Sequence, residues 1–417
     1  MILACIAWIA SPLIIKLLAK GFYGEQYKFA IQLLRIGLPM IIFSSIIGVF
    51  LGFLQSEQRY MSTAAIGFPF NFVYIFFLLF LSSKFGIKGL MVASVIAVFS
   101  QVLLQLPEIK KAGYKYKFIF NIKDKYVKKV LYLSIPVFIG VAINDLNTIV
   151  DRTLASSLVA GSISALNYAN RLNGLILGVF ITAITTVIFP LLSKEFSNNN
   201  IDDVKKIMGY GVNLILLITI PAAVGLIVLS TPIVEVAFQR GEFDSTATIM
   251  TSKALIFYAI GLVAMALRLL VNRVYFSLQD TKTPMINGAI SVVFNIVLNL
   301  ILVQFMGHAG LALATSIATT IATLLMLYGL KKKIGSLGTM SYLKYGVKSS
   351  FASAVMGIAA YLIYRELYSI LGVAKLYNLI ALLVAVGSGV VIYGILCYIL
   401  GIEEVKEIIG RLKVRLS

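Results

Sequence analysis

"IGLPMIIFSSIIGVFLGFLQ" (36–55) and "IGLVAMALRLLVNRVYFSLQ" (260–279) begin alike and end alike. The correspondence continues downstream. Phe70–Asn71 stands against Phe294–Asn295, and after a three-residue slip Gly89, Leu90, Ala93, Ile96 and Ala97 stand against Gly310, Leu311, Ala314, Ile317 and Ala318. Upstream, "SPLIIKLLAKGF" (11–22) is similar to "TPIVEVAFQRGEF" (231–243), and both copies close on lysines, Lys110–Lys111 and Lys331–Lys332. Two apolar copies running the same way predict two bundles related by an axis along the membrane normal, with a central cavity between them.

The composition demands a membrane protein. Of 417 residues, 60% are hydrophobic and 13% charged, with mean hydropathy +0.96; a soluble domain could not cover its own surface with that balance. Twelve apolar segments approach spanning length, at 1–20, 37–55, 63–82, 87–106, 129–158, 164–193, 207–229, 247–276, 284–305, 309–330, 347–369 and 376–400. The expected fold is all-α: a polytopic helical bundle with two pseudo-symmetric lobes and two further C-terminal helices. Its parts are four helices of the first lobe (1–106), a basic linker (107–128), six helices of the second lobe (129–330), a linker (331–346), two additional helices (347–400) and a tail (401–417). Symmetry with the six-helix second lobe leads to the expectation of two more helices ahead of residue 1.

Lysine and arginine total 36 against 17 acids, a net charge of +19. Nucleic acid is not the partner this implies, because the basic residues cluster in short loops between apolar segments. Segment 107–129 holds eight lysines, 331–348 holds five, and the tail carries Lys406, Arg411, Lys413 and Arg415. These fall on one side of the membrane, which the positive-inside rule makes cytoplasmic, and the parity of the segments puts both termini there. Cys5 and Cys397 lie in apolar segments and imply no disulfide framework.

Charges inside the apolar segments point to function. In "AINDLNTIVDRTLASSL" (142–158), Asp145, Thr148 and Arg152 form one helical stripe, with Asp151 beside it. A charge at the bilayer centre costs about 2.5–3.5 kcal/mol, so it faces a cavity or a partner; the plainer alternative is an internal ion pair that fixes helix packing. Asn167 and Arg171 share a face in the next segment, and Arg268 and Arg273 follow farther on. Arginines in one cavity would suit phosphate, since guanidinium bonds it bidentately and stays charged, though each could equally serve packing. The candidate substrate-binding residues are therefore Arg171, Arg273, Arg268, Asn167 and Asp145. Asn287, Ser291, Asn295 and Asn299, each four apart, form a polar stripe that could be interhelical glue, a cavity lining or a small-cation site. No enzyme signature is present: the single His308 lies in an outer loop, and there is no phosphate-binding loop, dinucleotide fingerprint or cysteine cluster. Transport would then draw on an ion gradient, the membrane potential or the substrate's own gradient.

"LLRIGLPMIIFSSIIGVFLGFLQSEQRY", "NRLNGLILGVFITAITTVIFPLLSKEF" and "FQRGEFDSTATIMTSKAL…LQDTKTP" resemble the MurJ (MviN) family of lipid II flippases, within the superfamily that includes the MATE exporters. The resemblance implies two six-helix lobes plus two C-terminal helices, and a transporter, not an enzyme, that carries lipid-linked peptidoglycan precursor across the bacterial cytoplasmic membrane by alternating access. Lipid II and membrane lipids are the implied partners. The family's cavity arginine on its eighth helix carries over to Arg171, although the usual Asp-Arg pair reads Asn170–Arg171 here, and a tenth-helix arginine carries over to Arg273. Some members bind sodium at positions matching Asp151, Asn295, Asn299 and Thr315; the second carboxylate of that site is Asn299 in this chain. The rival readings are a flippase for another polyprenyl-linked saccharide and a cation-coupled exporter of small organic molecules. An acidic, aromatic pocket would favour the exporter, and an arginine-rich one favours phosphate.

Overall fold

The computed structural model describes residues 2–57, 59–114, 124–372 and 374–406. Much of the first basic linker and the tail residues Arg411, Lys413 and Arg415 lie outside the described residues. The chain forms two compact units, Met1–Pro136 and Val137–Ser417, and no strand occurs among the described residues.

The first unit holds α1 (Ile2–Ile9), α2 (Ser11–Leu18), α3 (Gly24–Gly37), α4 (Pro39–Ser56), α5 (Tyr60–Ala64), α6 (Gly67–Phe80) and α7 (Ser82–Lys111). Segment 1–20, expected as one helix, is broken at Ala10. The cause is Pro12, which has no N–H to give the carbonyl of Trp8. The Ser11 hydroxyl donates to that carbonyl instead, at 2.8 Å, and Arg35 Nε donates to Ser11 Oγ at 2.8 Å while its guanidinium lies 4.4 Å over the Trp8 ring. The helix expected from residue 37 has a forerunner in α3, which meets α4 at Gly37 and Pro39.

Lys125–Ser156 (α8) crosses the division between units. The second unit continues with α9 (Ser162–Ile176), a π-helical turn (Leu177–Ile181), α10 (Thr182–Ser197), α11 (Ile201–Val228), α12 (Ser230–Phe238), α13 (Ser245–Ile260), α14 (Leu262–Ser277), α15 (Lys282–Met306), α16 (His308–Ile334), α17 (Thr339–Leu371) and α18 (Lys375–Ile399). Nine helices among the described residues are long and apolar enough to cross a membrane. The α13–α14 pair, bent by 47°, makes a tenth span. The remaining two of the twelve expected segments are the broken α1–α2 and the 32-residue α8.

The internal repeat is visible in the backbone. Gly86 and Gly307, each three residues ahead of the matched Gly89 and Gly310, adopt φ 54°, ψ −147° and φ 56°, ψ −134°. Only glycine takes that conformation without strain. Gly37 and Gly261, also matched, each stand at a helix break. At Gly261 the break frees the carbonyl of Phe257, and Ser316 Oγ on α16 donates to it at 2.6 Å, as a backbone group away from water requires. A Cβ on Gly261 would stand 2.7 Å from Ser316 Cα, so α16 packs directly on the break.

The solvent pattern is inverted relative to a soluble protein. On α15, Val293 is 62% exposed and Phe305 80%, whereas Asn295 is 2% and Asn299 0% exposed. Apolar side chains face outward, as lipid requires, and polar ones pair inside. The two last helices join the second unit: α17 packs on α11 and α18 on α12, and Tyr393 donates to the Leu217 carbonyl at 2.9 Å. Between α14 and α15, Asp280 accepts from the Thr283 N–H (2.9 Å), the Thr283 hydroxyl (2.8 Å) and Lys333 Nζ (2.8 Å). Burial alone would raise its carboxyl, but Lys333 and Thr283 outweigh it and hold it at about 2, so the junction stays charged through the physiological range.

Candidate functional site

The polar stripe of α15 faces inward. Asn299 Nδ2 donates to Asp151 Oδ1 on α8 at 2.6 Å and to Asn295 Oδ1 at 2.7 Å. Asn295 Nδ2 donates to Thr315 Oγ1 on α16 at 3.1 Å, and the Thr315 hydroxyl donates to the Leu311 carbonyl at 3.1 Å. Helical periodicity puts Asn295 and Asn299 one turn apart on one face, and packing brings the two other helices to that face. Among the described residues no lysine or arginine lies within 4.0 Å of Asp151, so the packing ion pair with Arg152 or Arg171 is not formed. Among the described residues Asn299 Oδ1 is buried with no partner. One carboxylate, two amide oxygens and a hydroxyl make a hard donor set with a single negative charge. The orphaned Oδ1 leaves an acceptor to be satisfied, and these residues fit a monovalent cation better than a divalent one.

Asp145, Thr148 and Arg152 are exposed along their α8 stripe, roughly 60–120° around the helix axis from Asp151. Arg152 joins Arg171, Asn167, Asn170, Ser164 and Tyr168 of α9 around an open groove of about 540 Å³. Ser164, Asn167, Tyr168 and Arg171 are spaced i, i+3, i+4 and i+7, one face of α9. Neither Arg152 nor Arg171 has a carboxylate within 4.0 Å among the described residues. Two exposed guanidinium groups from successive helices thus line one groove, an arrangement chemically suited to an anion such as phosphate. The role of Arg152 here was not legible from the α8 stripe; the signal available was the α9 face, which has its basic and polar groups in line.

Arg268 and Arg273 do not share this groove. Arg268 lines a separate recess of about 80 Å³ with Asn147, Ser291, Asn295 and Thr315, where its Nη1 donates to Ser291 Oγ at 3.3 Å. Arg273 lies 5.5 Å over the Phe189 ring, a cation–π contact that holds it against α10. Asp145 is exposed on α8 but does not line the arginine groove.

A family model described as "Lipid II flippase MurJ" matches residues 1–382. The probable lipid II flippase MurJ of Rickettsia prowazekii is 32% identical over 313 residues, covering 74% of this chain and 62% of that relative, so the match spans less than two thirds of the relative's length. Among solved structures, a lipid II flippase MurJ in an inward closed conformation is similar with TM-score 0.80 and 29% identity, covering 95% of this chain and 81% of that one. An inward-facing multidrug MATE transporter of the MOP superfamily shares the fold alone, with TM-score 0.67 and 16% identity over 82% of this chain and 80% of that one.

Proposed function

Because the chain belongs to the lipid II flippase MurJ family, we propose that it carries lipid II, a polyprenyl pyrophosphate bearing a sugar–peptide headgroup, from the inner to the outer leaflet of the bacterial cytoplasmic membrane by alternating access. The observation that carries this reading is the groove lined by both Arg152 and Arg171, neither with a carboxylate within 4.0 Å among the described residues. Its sign suits phosphate and opposes the cationic cargo of a drug exporter. No covalent bond changes, so the chain works as a transporter and not as an enzyme. In vesicles containing the purified full chain, fluorescent lipid II placed in one leaflet should become accessible to an impermeant quencher faster than in protein-free vesicles. Equal rates would refute the reading.

The lysine-rich segments 107–129 and 331–348 face the cytoplasm, supported by their charge, and both termini lie on that side. With Cys5 replaced by serine, Lys332→Cys and Lys344→Cys should stay unlabelled by a membrane-impermeant thiol reagent in intact cells. Prompt labelling of both would reverse the orientation.

Asp151, Asn295, Asn299 and Thr315 would hold a monovalent cation, with sodium the expected occupant; bound there, it would supply a charge that balances Asp151. Sodium at tenfold its dissociation constant should stabilise the chain by about 1.4 kcal/mol through mass action. Melting in sodium against choline reads this out. Asp151→Asn should abolish the difference, and equal melting of the parent in both salts would dismiss the site.

A further inference from the structure

Ser164 and Tyr168 also line a second recess, of about 470 Å³, walled on its other side by Glu242, Phe243, Thr246 and Thr251. Its volume lies in the range that ligand recesses occupy, about 300–1,000 Å³. Because two residues line both, this recess adjoins the arginine groove. The shared Tyr168 ring is braced by Phe238, at 4.6 Å between centroids, and meets Phe243 edge-on at 5.1 Å and 88°. It is therefore a rigid aromatic platform with little rotamer entropy left to lose on binding. Glu242 is exposed and has no basic partner within 4.0 Å among the described residues. It differs from neighbouring Asp244, whose Oδ1 is spent capping α13 through the Ala247 N–H at 2.8 Å. Thr246 presents an exposed side chain. Thr251 is fully buried in the wall and its hydroxyl has no partner among the described residues, a polar atom left for something that enters.

A fixed aromatic face, a free carboxylate and hydroxyl groups are the complement of a pyranose ring. Its C–H face packs on the aromatic group and its hydroxyls bond the carboxylate and threonines. We propose that this recess is a saccharide subsite that takes the sugar joined to the pyrophosphate held by Arg152 and Arg171. The inference rests on the proposed function, since it needs a substrate in which sugar and pyrophosphate are adjacent.

The test compares three ligands on the detergent-purified full chain: lipid II, its peptide-free lipid-linked disaccharide, and the sugarless polyprenyl pyrophosphate. Glu242→Gln, at an exposed side chain, should weaken both saccharide lipids about fivefold to tenfold, and Tyr168→Ala about tenfold. Glu242→Gln, which lies outside the arginine groove, should not move polyprenyl pyrophosphate by more than about twofold. Tyr168→Ala, whose side chain lines both, should weaken the saccharide lipids more than the sugarless one, and thermal melting of each variant controls for folding. The subsite is overturned if the parent binds sugared and sugarless lipids equally, or if the variants lose all three ligands alike. It is also overturned if the Glu242→Gln effect disappears with the peptide-free lipid, which would assign Glu242 to the peptide. A parent that binds none of the three defeats the proposed function and takes the subsite with it.

Discussion

Arg171→Ala should weaken lipid II binding by about 30- to 100-fold, the loss expected when charge-assisted bonds worth about 2–2.7 kcal/mol are removed from a phosphate. Arg171 is exposed in the groove and bonded to no carboxylate among the described residues, so its removal breaks no ion pair and the fold should survive. Arg171→Lys should recover only part of the affinity, because an ammonium keeps the charge but not the planar fork. Arg152→Ala should follow the same direction. Displacement of labelled lipid II from the purified chain measures all three. Unchanged affinity in Arg171→Ala, at an unchanged melting temperature, would remove this residue from the site.

The second large effect is structural. Gly261→Ala should destabilise the chain by about 2–3 kcal/mol, the range for forcing volume into a packed contact. The added Cβ would sit 2.7 Å from the Cα of Ser316, and backbone cannot swing aside as a flexible side chain can. Moving α16 away would also stretch the Ser316–Phe257 bond and leave a carbonyl unpaired at the break. Gly225→Ala is the control: among the described residues nothing lies within 4 Å of a Cβ there, and in the last helical turn of α11 the change should be neutral or mildly stabilising. Equal melting of the two variants would show that the break tolerates a side chain and that the packing argument is wrong.

Several of these features could be read in the chain itself, and the rest could not, for definite reasons. The spans and the repeat are carried by apolar length and glycine placement, which are local. The break in segment 1–20 was available too, in Pro12, but uniform apolarity around it masked the missing N–H. The four-residue spacing puts Asn287, Ser291, Asn295 and Asn299 on one face, yet it names no partner. Asp151 and Thr315 come to that face by packing from distant positions; Asp151 stood out as a charge within an apolar segment, but only family resemblance joined it and Thr315 to the stripe. The arginines show the same limit. Sequence position indicates how deep Arg171, Arg268 and Arg273 lie, but not which way each turns around its helix axis. That rotation separates the open groove of Arg171 from the recess of Arg268 and the Phe189 contact of Arg273.

Rotation around a helix axis is also what the π-helical turn at Leu177–Ile181 controls. A π turn holds one residue more than the α-helix it interrupts, so the stretch before it runs out of phase with the stretch after it by about 100°. Upstream is the face that presents Ser164, Asn167, Tyr168 and Arg171; downstream are Thr185, Ile188 and Leu192, which anchor α10 in the core. Deleting a single residue from 177–181 would let α-helical bonding run through and would swing the upstream face by ~100° relative to that anchor. Arg171 would turn away from Arg152 with every charge in the chain intact, a change visible as lost anion binding at unchanged helicity. The groove is thus fixed by a count of residues as much as by their chemistry.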